Sequence, residues 1–181
     1  PYSLTDAQTR VVREILRDQK SLFPMNRLVQ GDVGSGKTVV ALIAIFNVVK
    51  CGYQATLMVP TEILANQHYQ EAKKLLEPFG IHIELLTGST SAKEKRRIKE
   101  LITTDMPMVV IGTHALIQED VDFKNLGLVV TDEQHRFGVE QRNRLINKGR
   151  RPDVLVMTAT PIPRTLSLYV YSDLDISVID K

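Results

Sequence analysis

Gly31-Asp32-Val33-Gly34-Ser35-Gly36-Lys37-Thr38 is the stretch on which the rest of the chain turns. It meets the pattern G-x-x-x-x-G-K-[ST] at every fixed position, the spacing with which a backbone loop wraps a phosphate. Arg27-Leu28-Val29-Gln30 before it is a short strand-like run, and Val39 to Val49 after it is apolar except for Asn47. Strand, glycine loop and helix in that order turn consecutive N–H groups toward one anion, add the positive end of a helix dipole at Lys37-Thr38, and let Lys37 reach the terminal phosphates. Gly31, Gly34, Ser35, Gly36, Lys37 and Thr38 are therefore the expected nucleotide-binding residues, with Thr38 placed to ligate Mg²⁺. A glycine-rich turn before a buried helix is the plain alternative, and the strand-loop-helix context favours the phosphate site.

Working outward, Leu4-Thr5-Asp6-Ala7-Gln8 opens an amphipathic helix in which Val11, Val12, Ile15 and Leu16 recur at helical spacing. The helix after the loop is apolar all round, so it needs cover on both sides, and Gly52 is its expected glycine cap. Ala55 to Val59 form a strand, and a helix follows from Ile63 to Glu77, ended by Pro78 and Gly80. Ile81 to Leu86 form the next strand, Gly88-Ser89-Thr90 a turn, and Ser91-Ala92-Lys93-Glu94 a capping box that opens a helix through Ile102. Met108 to Ile111, Leu128 to Thr131 and Val154 to Met157 complete the set of short apolar strands. Alternating strands and helices with near-continuous apolar strands predict an α/β fold, a parallel sheet with helices on both faces and ligands at the carboxyl ends of the strands.

With 181 residues, 43% of them hydrophobic, the chain can bury one substantial core, so residues 1–181 read as a single domain. A net charge of +2 does not announce nucleic acid, and any such partner must be argued from local features. Cys51 is the single cysteine; no intrachain disulfide is possible, and its apolar neighbours predict a small buried hydrophobe. No run of about 18 apolar residues and no charged leader with a hydrophobic stretch is present, so no membrane partner and a cytoplasmic location are expected.

Leu128-Val129-Val130-Thr131-Asp132-Glu133 is an apolar strand running into two carboxylates. Asp132 is the metal-side candidate, and Glu133, one residue further out, is the candidate general base that orients water. Taken alone, such a pair is an ordinary acidic helix start; a phosphate loop in the same chain favours the catalytic reading.

Asp132-Glu133-Gln134-His135-Arg136-Phe137-Gly138-Val139-Glu140-Gln141-Arg142 resembles the second helicase motif of the RecG family, branched-DNA translocases of superfamily 2. Gln30 to Val40, Pro60 to His68, Gly112 to Gln118 and Thr158 to Thr165 resemble that family's other motifs in the same order, so the similarity spans nearly the whole chain. The motor of the transcription–repair coupling factor is a close cousin, in which a second Glu is expected where this chain has Gln134. The resemblance implies a RecA-like P-loop domain that uses ATP and Mg²⁺. It implies that Gln8 reads adenine, that Gln134 and His135 couple the metal site to DNA, and that Thr158-Ala159-Thr160, with Thr158 and Thr160 as the hydroxyls, links hydrolysis to movement. By composition alone, Gln8 is a polar helix-face residue and Thr158 to Thr160 a strand end. Thr131 stands where the family leads one to expect an aliphatic residue, and a buried hydroxyl there needs a partner. The resemblance further implies a fragment: a wedge domain before it, a second RecA-like domain after it, branched or forked DNA as partner, and a monomeric working unit.

Thr61, Gly88-Ser89 and Thr113-His114 all follow strands, where hydroxyls and free N–H groups grip phosphates without reading sequence. Each is also an ordinary strand-to-helix turn. The runs Lys93, Lys95, Arg96, Arg97, Lys99 and Arg142, Arg144, Lys148, Arg150, Arg151 are scattered around helices, and a solvated face is favoured over a DNA groove. With aromatic residues at 6% and no tryptophan, a base-stacking platform is poorly supported. His68 and His82 have no metal-ligand pattern around them and read as core or surface residues. Rival classes are a GTP switch, for which Asn147-Lys148-Gly149-Arg150 fails at its last position, a small-molecule kinase, for which no arginine-rich lid is found, and a non-catalytic nucleotide-binding adaptor.

Overall fold

The structure is a computed structural model that describes residues 4–20, 25–31, 36–132, 139–148, 152–158 and 175–179. Among them the strands are β1 (Asn26–Gly31), β2 (Gln54–Met58), β3 (Ile83–Leu86), β4 (Val109–Gly112), β5 (Leu126–Asp132), β6 (Asp153–Thr158) and β7 (Asp175–Ile179). The helices are α1 (Asp6–Gln19), α2 (Lys37–Lys50), α3 (Glu62–Leu76), α4 (Ala92–Leu101) and α5 (Val139–Ile146). The strands form one sheet in the order β3-β4-β2-β5-β6-β1-β7, every pairing parallel. Both faces are covered, as expected for strands apolar on both sides. Val29, Leu57, Ile111, Val130 and Leu155 pack with α1, α2 and α3 on one face. Met58, Leu86, Val110 and Val129 pack with Ile98 of α4 and Leu145 of α5 on the other.

Local chemistry sets the element ends. α1 begins at a full capping box: the Gln8 N–H donates to Thr5 Oγ1 and the Thr5 N–H donates to Gln8 Oε1, at 3.1 and 2.9 Å. The box expected at Ser91 is half formed, because Ser91 Oγ accepts from the Glu94 N–H while the Glu94 carboxylate accepts from Arg97 instead. Gly52 and Gly80 adopt positive φ after α2 and after the short turn Glu77–Phe79, as their stop signals predict. Asn47, the polar break in the apolar α2, donates to Gln19 Oε1 at 2.8 Å, and this bond ties α2 to α1.

Two features depart from the sequence reading. Cys51 is exposed, because it caps the C-terminus of α2 and points away from the core that takes Val48 and Val49. β7 was not expected; it is an edge strand on β1, with Ser177 buried and Ile176 and Val178 exposed. The buried Arg27 of β1 explains the polar inside position. It donates to Ser177 Oγ at 2.7 Å, to Glu14 at 3.0 Å and to Asp18 at 2.7 Å, fastening α1, β1 and β7 together.

Candidate functional site

Because every strand runs the same way, all the carboxyl ends open on one edge. The register aligns them: Gln30 beside Thr158, Met157 beside Asp132, Thr131 beside Met58, Met58 beside Gly112, and Gly112 beside Leu86. Close approach of β4 to β3 requires the glycine at 112, where a Cβ would lie 2.0 Å from the Leu86 carbonyl oxygen. The turns leaving this edge carry the candidate residues.

Gly31 ends β1 and is buried, and Gly36 precedes α2 with φ +84°. Lys37 and Thr38, half-buried, are the first two residues of α2. The first turn of this helix holds no acidic residue and Gly36 offers no side-chain cap, so within the helix itself no carboxylate takes up the donors of its positive end, which open on the edge. These residues fit a polyphosphate. Gln8 closes the other side: it is buried, and its Nε2 donates to the Gly36 carbonyl at 3.4 Å.

Asp132 ends β5, which is separated from β1 by β6 alone, so the two strand ends are about 10 Å apart. The Asp132 side chain is 18% exposed. Among the described residues no three His, Cys, Asp or Glu side chains converge on a metal site. One carboxylate and one hydroxyl beside a phosphate loop fit Mg²⁺, which is commonly held by one or two carboxylates together with substrate phosphates. Buried His68 of α3 stands next to this carboxylate, with Nε2 3.5 Å from Asp132 Oδ2.

On the other side of the edge, Thr61 caps α3, its Oγ1 accepting from the Leu64 N–H at 3.2 Å, and is exposed. Glu62, next to it, accepts from the Ser89 N–H at 2.9 Å and from the Ser89 hydroxyl at 2.6 Å. These two bonds hold the Glu62 carboxyl below its ordinary range. The pair joins the turn after β2 to the exposed Gly88-Ser89 turn after β3. Thr113 is buried, whereas His114 is exposed. Thr158 is buried at the end of β6. Gly34, Ser35, Glu133, Gln134, His135 and Thr160 lie outside the described residues.

The structure therefore brings Gln8, Gly31, Gly36, Lys37 and Thr38 to one end of the edge, with Asp132 and Thr158 beside them and Thr61, Ser89 and His114 beyond. Sequence reasoning missed Glu62 as the partner of Ser89 and His68 as the neighbour of Asp132. Neither has a local signal, since Glu62 is 27 residues from Ser89 and His68 is 64 residues from Asp132. Much of the first basic run is engaged by protein: Arg97 grips Glu84 with two nitrogens at 2.7 and 2.8 Å, Lys99 pairs with Asp120 and Lys95 donates to the Gly88 carbonyl. Lys148 of the second run donates to the Gln118 and Val121 carbonyls.

Comparison with known proteins bears directly on this edge. The family model for the DEAD/DEAH box helicase matches residues 5–168. The ATP-dependent DNA helicase RecG of Bacillus subtilis is 55% identical over 181 residues, all of this chain and 26% of that protein. RecG of Thermotoga maritima is 58% identical, with 23% of its length covered. The chain thus spans about a quarter of the length of these curated relatives. The structure of RecG bound to a three-way DNA junction matches with a TM-score of 0.86 at 54% identity, covering 99% of this chain and 24% of that one. The UvsW helicase of bacteriophage T4, at 17% identity and TM-score 0.73 over 98% of this chain and 60% of its own, shares the fold. No helix among the described residues is long and apolar enough to cross a membrane. With the family match reaching from the capping residue of α1 to beyond β6, the chain belongs to the DEAD/DEAH box helicases and has their RecA-like fold.

Proposed function

We propose that this chain is the first RecA-like motor domain of a RecG-like ATP-dependent DNA helicase, which hydrolyses ATP to translocate on duplex DNA and so remodels branched DNA such as stalled forks and recombination junctions. The observation that carries this reading is identity of 54–58% to RecG proteins along the whole chain, one of them solved on a three-way junction. The convergence of the candidate residues on one sheet edge supports it.

In this reading the α2 N-terminus and Lys37 bind the phosphates, Gln8 reads adenine, and Thr38 and Asp132 hold Mg²⁺. The bound ion would neutralise charge on the phosphates. Glu133 takes the general-base role and orients the attacking water. Thr61, Ser89 and His114 grip the DNA backbone, and Gln134, His135, Thr158 and Thr160 couple it to the nucleotide. A second RecA-like domain and a wedge domain belong to the full-length protein, which works as a monomer in the cytoplasm.

ATPase activity with and without forked DNA tests the proposal, comparing this chain with a version extended by both flanking domains. DNA stimulation is expected only in the extended protein, because the isolated chain lacks the transition-state arginine, worth roughly 10³- to 10⁵-fold in related systems. Full DNA-stimulated turnover by this chain alone would overturn the split site. Glu133→Gln in the extended protein is expected to keep ATP binding and lose hydrolysis, whereas unchanged behaviour would favour a non-catalytic adaptor.

A further inference from the structure

His68 projects from the buried side of α3, leaves 11% of its side chain exposed, and has both ring nitrogens sealed from solvent without a hydrogen bond. A buried imidazole with neither nitrogen satisfied costs on the order of 1–3 kcal/mol per unpaired group, so such a residue in a core position asks for an explanation. A hydrophobic side chain would fill the same space at no such cost. Among the described residues the carboxylate set against it is Asp132: Nε2 is 3.5 Å from Oδ2, beyond a well-formed hydrogen bond and near enough for one to form by a small rotation of either side chain.

We infer that His68 is a positioning residue for the metal carboxylate: with its proton on Nε2 it donates to Asp132 Oδ2 when the site is loaded, fixing the rotamer of Asp132 so that the other oxygen faces the ion. The inference rests on the reading of Asp132 as the Mg²⁺-side carboxylate. Ligating carboxylates are commonly oriented by such an outer hydrogen bond, and losing it weakens metal binding roughly 10- to 100-fold. Asp132 is at a strand end with 18% of its side chain exposed, so the backbone alone does not fix where its oxygens point. His68 also gives α3 a contact with the metal side of the site, while Glu62 in the first turn of that helix holds Ser89 after β3, at the opposite end of the sheet edge.

The test is Mn²⁺ titration of the 181-residue chain, followed by electron paramagnetic resonance, in the presence of a non-hydrolysable ATP analogue. His68→Phe is expected to raise the Mn²⁺ dissociation constant roughly 10- to 100-fold. Its affinity for the analogue in EDTA, and its melting temperature, should stay near wild type. His68→Gln, whose amide N–H reaches about as far as Nε2, is expected to restore most of the Mn²⁺ affinity. If Phe is not accommodated, His68→Asn, which keeps an amide but stops short of Oδ2, is judged by the same comparison. Unchanged Mn²⁺ affinity in these variants, alongside weakened affinity in Asp132→Asn, would overturn the positioning role. Equal losses of Mn²⁺ and metal-free analogue affinity would also overturn it, since they mark a merely structural residue. If Asp132→Asn itself leaves Mn²⁺ affinity unchanged, the metal-side reading of Asp132 fails, and this inference falls with it.

Discussion

The side-chain amide of Gln8 occupies the space that a β-carbon on Gly36 would need: the position of such a carbon lies 1.8 Å from Gln8 Nε2. The backbone of Gly36, at φ +84°, also disfavours any L side chain, by about 1–2 kcal/mol. Gly36→Ala is therefore expected to push Gln8 off the loop and to weaken ATP-analogue binding roughly tenfold or more. A fluorescent-analogue titration, with circular dichroism to verify the fold, checks this. Gln8→Ala should bind ATP and GTP analogues with more nearly equal affinity, and undiminished preference for adenine would count against its base-reading role.

A second expectation concerns Glu62, whose carboxylate holds both donors of Ser89 on the edge assigned to DNA. Glu62→Gln keeps an acceptor for Ser89 and removes one negative charge from the surface proposed to face DNA phosphates. Duplex affinity of the extended protein should rise roughly two- to fivefold at low salt, and the gain should fade as salt screens it. Fluorescence anisotropy at two ionic strengths measures both effects; equal or weaker binding at low salt would show that the charge does not face the DNA.

Thr56 lies fully buried in β2 with its hydroxyl unpaired. Thr56→Val removes a stranded polar group and keeps the β-branched shape, so it is expected to stabilise the domain by about 1 kcal/mol. The midpoint of thermal unfolding should rise by roughly 2–4 °C, readable by circular dichroism, with nucleotide affinity unchanged.

The fourth prediction follows from Glu84, which is 6% exposed. Burial pushes its carboxyl up, but the two Arg97 bonds and the His82 bond outweigh that, and the net result is a value below the ordinary 4.5. A carboxyl lowered in the folded state binds fewer protons there than in the unfolded chain. Its contribution is therefore full above the ordinary value of 4.5 and is lost as pH falls from there through the lowered folded value. Glu84→Gln is expected to cost roughly 1–3 kcal/mol at pH 7. The gap from wild type should shrink below about pH 4.5 in a urea-unfolding series; a constant gap across that range would refute the assignment.

Much of the architecture was legible because the deciding signals are local. The apolar strands and the stops at Gly52 and Gly80 need only near neighbours to be understood. The helix after Gly36 was legible for the same reason, and it begins at Lys37 as expected. β7 was not, because its inward positions are Ser177 and Ile179 and its outward positions Ile176 and Val178, so that one polar residue stands inside and two apolar ones outside. Only the buried Arg27 on the neighbouring strand makes sense of that pattern. Cys51 was misjudged because Val48 and Val49 close to it are apolar, whereas the burial stops with them and Lys50 and Cys51 are already exposed. Likewise, Leu4 to Gln8 reads in the sequence as the opening of a helix, whereas in the structure Thr5 and Gln8 form a complete capping box and the same glutamine reaches the Gly36 carbonyl.

β1, the strand that launches the phosphate loop, has as its two neighbours the last strands of the described chain, β6 and β7. During synthesis β1 leaves the ribosome before β6 and β7 and stays without a partner on either side until those strands follow it. The nucleotide site is thus among the last parts of the sheet that a growing chain can complete, since loop closure over so long a span precedes any gain from pairing. A nascent chain halted before β6 has its glycines, its lysine and its threonine, but no platform on which to hold them.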